Sequence, residues 1–112
     1  MAGQSREALD PWRRVLVESV RGGGPDLSQR QLSLLLTVYL TSPPHTVRGL
    51  AELLRVSKPA ISRALDRLGS LGFARRKRDE ADGRNVLVQR TVKGAVFLSD
   101  FSALVSRASR AQ

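Results

Sequence analysis

The chain has 112 residues, 41% hydrophobic and 4% aromatic, with nineteen Lys and Arg against ten Asp and Glu for a net charge of +9. That length holds one domain, here residues 1–112, and the apolar fraction excludes a disordered tail. Without cysteine there is no disulfide framework, thiolate metal site or thiol redox switch, and without a long apolar run or a signal layout the chain is expected in the cytoplasm, off the membrane.

In chain order, Asp10-Pro11 reads as the start of a first helix, 10–22, because Asp caps well and Pro at the first helical position loses no hydrogen bond. Gly22-Gly23-Gly24-Pro25 ends it. Ser28 and Gln31 have capping-box spacing, with Leu27 and Leu32 as a hydrophobic staple. The helix they open, near 29–41, is apolar around much of its circumference, which predicts a central, covered position. Thr46 caps a short third helix carrying Val47, Leu50, Ala51, Leu53 and Leu54. Arg55-Val56 turns the chain, and Ser57 caps a fourth helix that runs to about Ser70.

From Phe73 the pattern changes to two strands, 73–78 and 85–90, joined by a turn containing Asp82-Gly83. Thr91 caps a last helix bearing Phe97, Phe101, Leu104 and Val105 at helical spacing. The expected class is mainly α with a small β-hairpin wing: a core at 28–90 between terminal helices at 10–22 and 91–110.

The third helix, tight turn and fourth helix form a helix-turn-helix, whose second helix reads the major groove of double-stranded DNA. At 100° per residue, Ile61, Ala64, Leu65 and Leu68 share one stripe about 100° wide. Pro59, Ser62, Arg63, Asp66 and Arg67 lie on the other side, with Lys58 and the free amides near Ser57 at the N-terminal end. Such amides and the helix dipole suit phosphate. An ordinary amphipathic surface helix has the same pattern.

Charge distribution favours the binding reading. Residues 57–94 hold ten basic and four acidic side chains, a +6 excess out of +9. This concentration marks a footprint rather than a uniform solubility charge. Arg75, Arg76, Lys77 and Arg78 line one strand. Arg84, beyond the Asp-Gly turn, suits a narrow minor groove, with Asp82 placed to pair with it. A basic hairpin serving only solubility is the alternative.

Residues 32–94 resemble the winged helix domain of MarR-type bacterial transcription regulators. The segment Leu50-Ala51-Glu52-Leu53-Leu54-Arg55-Val56-Ser57-Lys58-Pro59-Ala60-Ile61-Ser62-Arg63 is similar to that family's helix-turn-helix. Leu71-Gly72-Phe73-Ala74-Arg75-Arg76 and Asp82-Gly83-Arg84-Asn85-Val86-Leu87-Val88 are similar to its wing. The resemblance implies a winged helix-turn-helix that regulates transcription, with Ser57, Pro59, Ser62 and Arg63 on the DNA face. It further implies Arg84 as the minor-groove arginine, Asp82 as its orienting partner, and a homodimer built from the terminal helices. The candidate DNA contacts are Thr46, Ser57, Lys58, Pro59, Ser62, Arg63 and Arg67, then Arg76, Arg78, Asp82 and Arg84. Two departures stand out. Arg90 occupies a position that is usually Leu in the family, and one C-terminal helix replaces the family's longer arm, which leaves open both dimer geometry and any small-molecule effector pocket.

Trp12, Leu16 and Val20, with Phe97, Phe101, Leu104 and Val105, form apolar stripes expected at the dimer interface, the alternative being intrachain core. His45 reads as a solvated loop residue without ligand partners, and Tyr39 as a packing residue. No catalytic triad, carboxylate pair, phosphate loop or metal set is present in the sequence, so neither an enzyme nor a cofactor is expected. The leading reading is a sequence-specific transcription regulator. The alternatives are a winged module that recruits a protein such as RNA polymerase and a non-specific architectural DNA binder.

Overall fold

The computed structural model describes residues 2–110. Its elements are α1 (Gly3–Arg21), α2 (Gln29–Leu40), α3 (Val47–Leu54), α4 (Lys58–Ser70), β1 (Ala74–Arg78), β2 (Val86–Arg90) and α5 (Val92–Arg110). The described residues form two compact units, one of residues 2–26 with 98–110 and the other Leu27–Phe97, so that α5 contributes to both. The core expected at 28–90 lies inside the second unit.

The first unit departs from expectation at its start. Helix α1 begins at Gly3 and carries Pro11 inside it, so Asp10 is not its cap. Arg6, Glu7, Ala8 and Leu9 propagate helix well, and they extend it through a site where Pro removes one backbone hydrogen bond. Asp10 instead accepts from Arg13 Nε at 2.9 Å and pairs with Arg14 at 2.8 Å. The Arg13 hydrogen bond, joined by the charges of Arg14 and Arg13, holds the Asp10 carboxyl below its ordinary value of 3.8. Val15 and Ala108 are buried in this unit. Gly23, at φ 69°, reverses the chain after α1 in a backbone region that L side chains rarely adopt.

The second unit follows its caps closely. Ser28 Oγ accepts from Gln31 N, and Gln31 Oε1 accepts from Ser28 N, completing the capping box of α2. Leu34, Leu35 and Val38 point into the core, while Leu40 is exposed. Thr46 Oγ1 accepts from Gly49 N to start α3, and Ser57 Oγ accepts from Ala60 N to start α4. Arg55, between these helices, takes the left-handed conformation at φ 57°, tightening the turn. Ile61, Ala64, Leu65 and Leu68 are all buried, as the helical spacing predicts, and join Leu34, Leu35, Leu50 and Phe73 in the core. Gly72, at φ 78°, lets Phe73 N–H reach back to the Leu68 carbonyl and closes α4.

Strands β1 and β2 pair antiparallel, with Ala74 opposite Arg90 and Arg78 opposite Val86. The segment before α3 adds a short bridge from Thr46 to Leu87, and Val88 N–H donates to the His45 carbonyl at 2.8 Å. His45 is therefore half-buried at the wing's root rather than free in a loop. Tyr39 is more than packing: its hydroxyl lies 2.8 Å from the Phe73 carbonyl and accepts from Thr91 N–H, also at 2.8 Å. Thr91 Oγ1 donates to the Gly72 carbonyl and accepts from Gly94 N–H, capping α5 as expected.

Arg90, the departure from the family pattern, is held in place. Its Nε donates to the Val38 carbonyl at 2.8 Å and a terminal nitrogen to the Thr41 carbonyl at 3.0 Å, above the Tyr39 ring. A cation here satisfies two carbonyls at the C-terminal end of α2, where the helix dipole is negative. This contact fastens the end of β2 to α2.

Candidate nucleic-acid interface

Burying one stripe of α4 leaves its polar side outward. Ser57, Lys58, Pro59, Arg63 and Arg67 are exposed and Ser62 is half-buried. The Pro59 ring near the helix start costs no hydrogen bond there, and Ser57 orders the first turn. The N-terminal turn of α4 thus presents a cation and free amides to the surface.

The wing contributes the opposing wall. Arg75, Arg76, Lys77 and Arg78 are all exposed along β1. Arg76 nevertheless reaches back to form an ion pair with Asp66 of α4. That contact ties the strand to the helix beside it. At the tip, Asp82 Oδ1 accepts from both the backbone N–H of Arg84, at 3.1 Å, and its Nε, at 3.2 Å. The turn therefore fixes the base of a side chain that is itself 90% exposed.

These parts meet in a cleft of about 220 Å3 lined by Val47, Arg48, Lys58, Ser62, Arg76, Arg84, Asn85 and Val86. Of the expected contacts, the cleft gathers Lys58, Ser62, Arg76 and Arg84. Ser57, Pro59, Arg63, Arg67 and Arg78 remain on exposed surface outside its lining, and Asp82 stands behind Arg84. Thr46 is half-buried, and its side-chain oxygen caps α3. Sequence reasoning missed Arg48 and Asn85. Arg48 follows the Thr46 cap by two residues, on the polar side of α3, and that position was its only signal.

No carboxylate lines the cleft. Arg76 and Arg84 each have one acidic partner, whereas no partner is found for Arg48 or Lys58 among the described residues. The concavity is cationic and suited to a phosphate-bearing ligand. Among the described residues no cluster of His, Cys, Asp or Glu could hold a metal ion, and no helix is long and apolar enough to cross a membrane.

The apolar residues expected at a dimer interface divide. Trp12, Leu16 and Val20 are 56%, 57% and 75% exposed. Val105 is exposed, and Phe101 and Leu104 are half-buried. Phe97 stacks on Phe73 with ring centroids 4.4 Å apart, so it serves the winged unit itself.

No curated protein matches the chain. Among solved structures it is similar to MarR, with 27% identity, a TM-score of 0.65, and coverage of 73% of this chain and 59% of that one. It is also similar to the transcriptional regulator Tm0710 from Thermotoga maritima, with 23% identity, a TM-score of 0.69, and coverage of 90% and 66%. A third similar structure is the S. aureus MepR-DNA complex, at 18% identity and a TM-score of 0.70, covering 96% and 79%. The chain thus spans 59% and 66% of the first two structures. The model of the MarR family matches residues 27–86, more than half of the chain and all of the helix-turn-helix. Taken with the five helices and one antiparallel hairpin of the described residues, in the winged-helix arrangement, that match decides the matter: the chain belongs to the MarR family.

Proposed function

We propose that the chain is a sequence-specific binder of double-stranded DNA that acts as a homodimer to regulate transcription. The observation that carries this reading is the cationic cleft between the exposed face of α4 and the wing, with Arg84 projecting beyond it. Helix α4 enters the major groove, where Ser62 and Arg63 meet base edges, and Arg84 enters the adjacent minor groove. Ser57, Lys58, Pro59, Arg67, Arg76 and Arg78 border the phosphate backbone and set orientation. The similarity to the MepR-DNA complex supports this mode.

Dimerisation uses α1 and α5. Trp12, Leu16 and Val20 are large apolar side chains left in solvent, and a second copy offers the same stripe in return, together with Phe101, Leu104 and Val105. A two-fold dimer reads an inverted repeat with half-sites about 34 Å apart, one turn of duplex.

The test is selection of duplexes from a random pool by the purified chain, followed by affinity measurements at several salt concentrations. The expected result is one enriched inverted repeat, steep salt dependence, and loss of binding with Arg84→Glu. Equal affinity for enriched and random duplexes would support architectural coating. Absence of duplex binding would support recruitment of a protein partner such as RNA polymerase. Normal binding by Arg84→Glu would remove the wing from the interface.

A further inference from the structure

We infer that the cleft is the seat of the sugar-phosphate strand separating the two grooves, and that Arg48 is a backbone contact that carries no sequence information. This rests on the DNA-binding reading above and assigns a task to a residue which that reading leaves out. If α4 occupies the major groove and the wing the neighbouring minor groove, one phosphodiester strand must pass between them. The space between them is the cleft, floored by the start of α3 and walled by Lys58 and Ser62 on one side and Arg76, Arg84 and Asn85 on the other.

Charge makes the case more specific. Arg48 and Lys58 come from different helices, line the same concavity, and have no acidic partner among the described residues. Unpaired like charges in one cleft repel each other until an anion lies between them. A phosphodiester supplies one negative charge per nucleotide, and Arg presents the planar donor fork that suits its oxygens. Val47 and Val86, at the same cleft, are apolar and match deoxyribose rather than a base edge. Arg48 belongs to the first helix of the helix-turn-helix rather than the recognition helix, so a backbone role follows from its place.

The experiment uses the full chain with the tightest duplex from the random pool and a scrambled duplex of equal length. Arg48→Ala is expected to weaken both by the same factor, about five- to tenfold at moderate salt, and to reduce the slope of log affinity on log salt by about one. Arg48→Lys should restore most of the slope. Replacing single phosphates of the selected duplex with neutral methylphosphonate should reveal one whose loss weakens the wild-type chain but not Arg48→Ala. Unchanged affinity and slope in Arg48→Ala, while Arg84→Glu still abolishes binding, would overturn the inference and leave the functional reading intact. A loss confined to the selected duplex would overturn it in favour of base reading. Failure of the wild-type chain to bind any duplex would defeat both.

Discussion

Replacing Gly94 with Ala ordinarily helps a helix by about 1 kcal/mol, because Ala costs less backbone entropy. Here the sign reverses. A Cβ on Gly94 would overlap the Tyr39 hydroxyl and the Phe73 carbonyl, and would lie 2.8 Å from Tyr39 Cζ. To admit it, Tyr39 must leave the Phe73 carbonyl and Thr91 N–H. Overpacking costs about 1–3 kcal/mol, and stranding a part-buried donor costs about 1–3 kcal/mol more. Set against the propensity gain of about 1 kcal/mol, the net expectation for Gly94→Ala is a loss of about 3 kcal/mol. At about 4–8 °C per kcal/mol for a domain of this size, Tm falls by about 12–24 °C. Tyr39→Phe removes the hydroxyl but not the Phe73 carbonyl. The double variant should therefore be more stable than the two single losses added, yet less stable than Tyr39→Phe alone. Urea denaturation of the four proteins, followed by circular dichroism, measures these differences. A Gly94→Ala chain as stable as wild type would refute the close approach of α5 to Tyr39.

Arg90→Leu, which restores the usual family residue, leaves the Val38 and Thr41 carbonyls without their cation. It should cost about 1–3 kcal/mol in urea melts and speed hydrogen exchange at the root of β2. Ser57→Ala removes the α4 cap and should cost about 1 kcal/mol by the same melts, weakening DNA affinity beyond what unfolding explains. Trp12→Glu with Leu16→Glu should shift the sedimenting species from dimer to monomer while the circular dichroism of the winged unit persists. The Asp10 carboxyl titrates lower folded than unfolded, so its contribution is complete above 3.8 and fades as pH falls through the lower folded value. Asp10→Asn should flatten that acid limb slightly in pH-dependent melts, the pair being solvent-accessible.

The winged core was legible because its signals are local. Capping residues at 28, 46, 57 and 91 each begin a helix where the sequence places them, and the apolar stripe of α4 is buried residue for residue. Asp82 pairing with Arg84 was legible for the same reason, being two residues away. The misreadings involve competition or distance. At Asp10-Pro11 two strong start signals lose to good helix formers upstream, with the carboxylate taken up by Arg13 and Arg14. Arg90 reads as a mismatch until the carbonyls of Val38 and Thr41 are brought to it across the fold. Phe97 lies on an apolar stripe at helical spacing, and periodicity alone cannot tell an interface from the Phe73 ring it stacks on. Arg48 became a site residue only when α3, α4 and the wing closed one cleft.

The central claim is that one surface of this chain grips two neighbouring grooves of one duplex. The chain has no cysteine, so a single introduced thiol is unique and can carry an iron-EDTA cleavage reagent. Gly83→Cys places it at the wing tip, where an added side chain meets nothing within 4 Å, and Ser62→Cys places it on α4. On the selected duplex, the wing probe should cut both strands with the 3′ stagger of a minor-groove source. The helix probe should cut with the opposite stagger of the adjacent major groove. Cuts with the same stagger from both probes, or no localised cutting from the wing, would contradict the account.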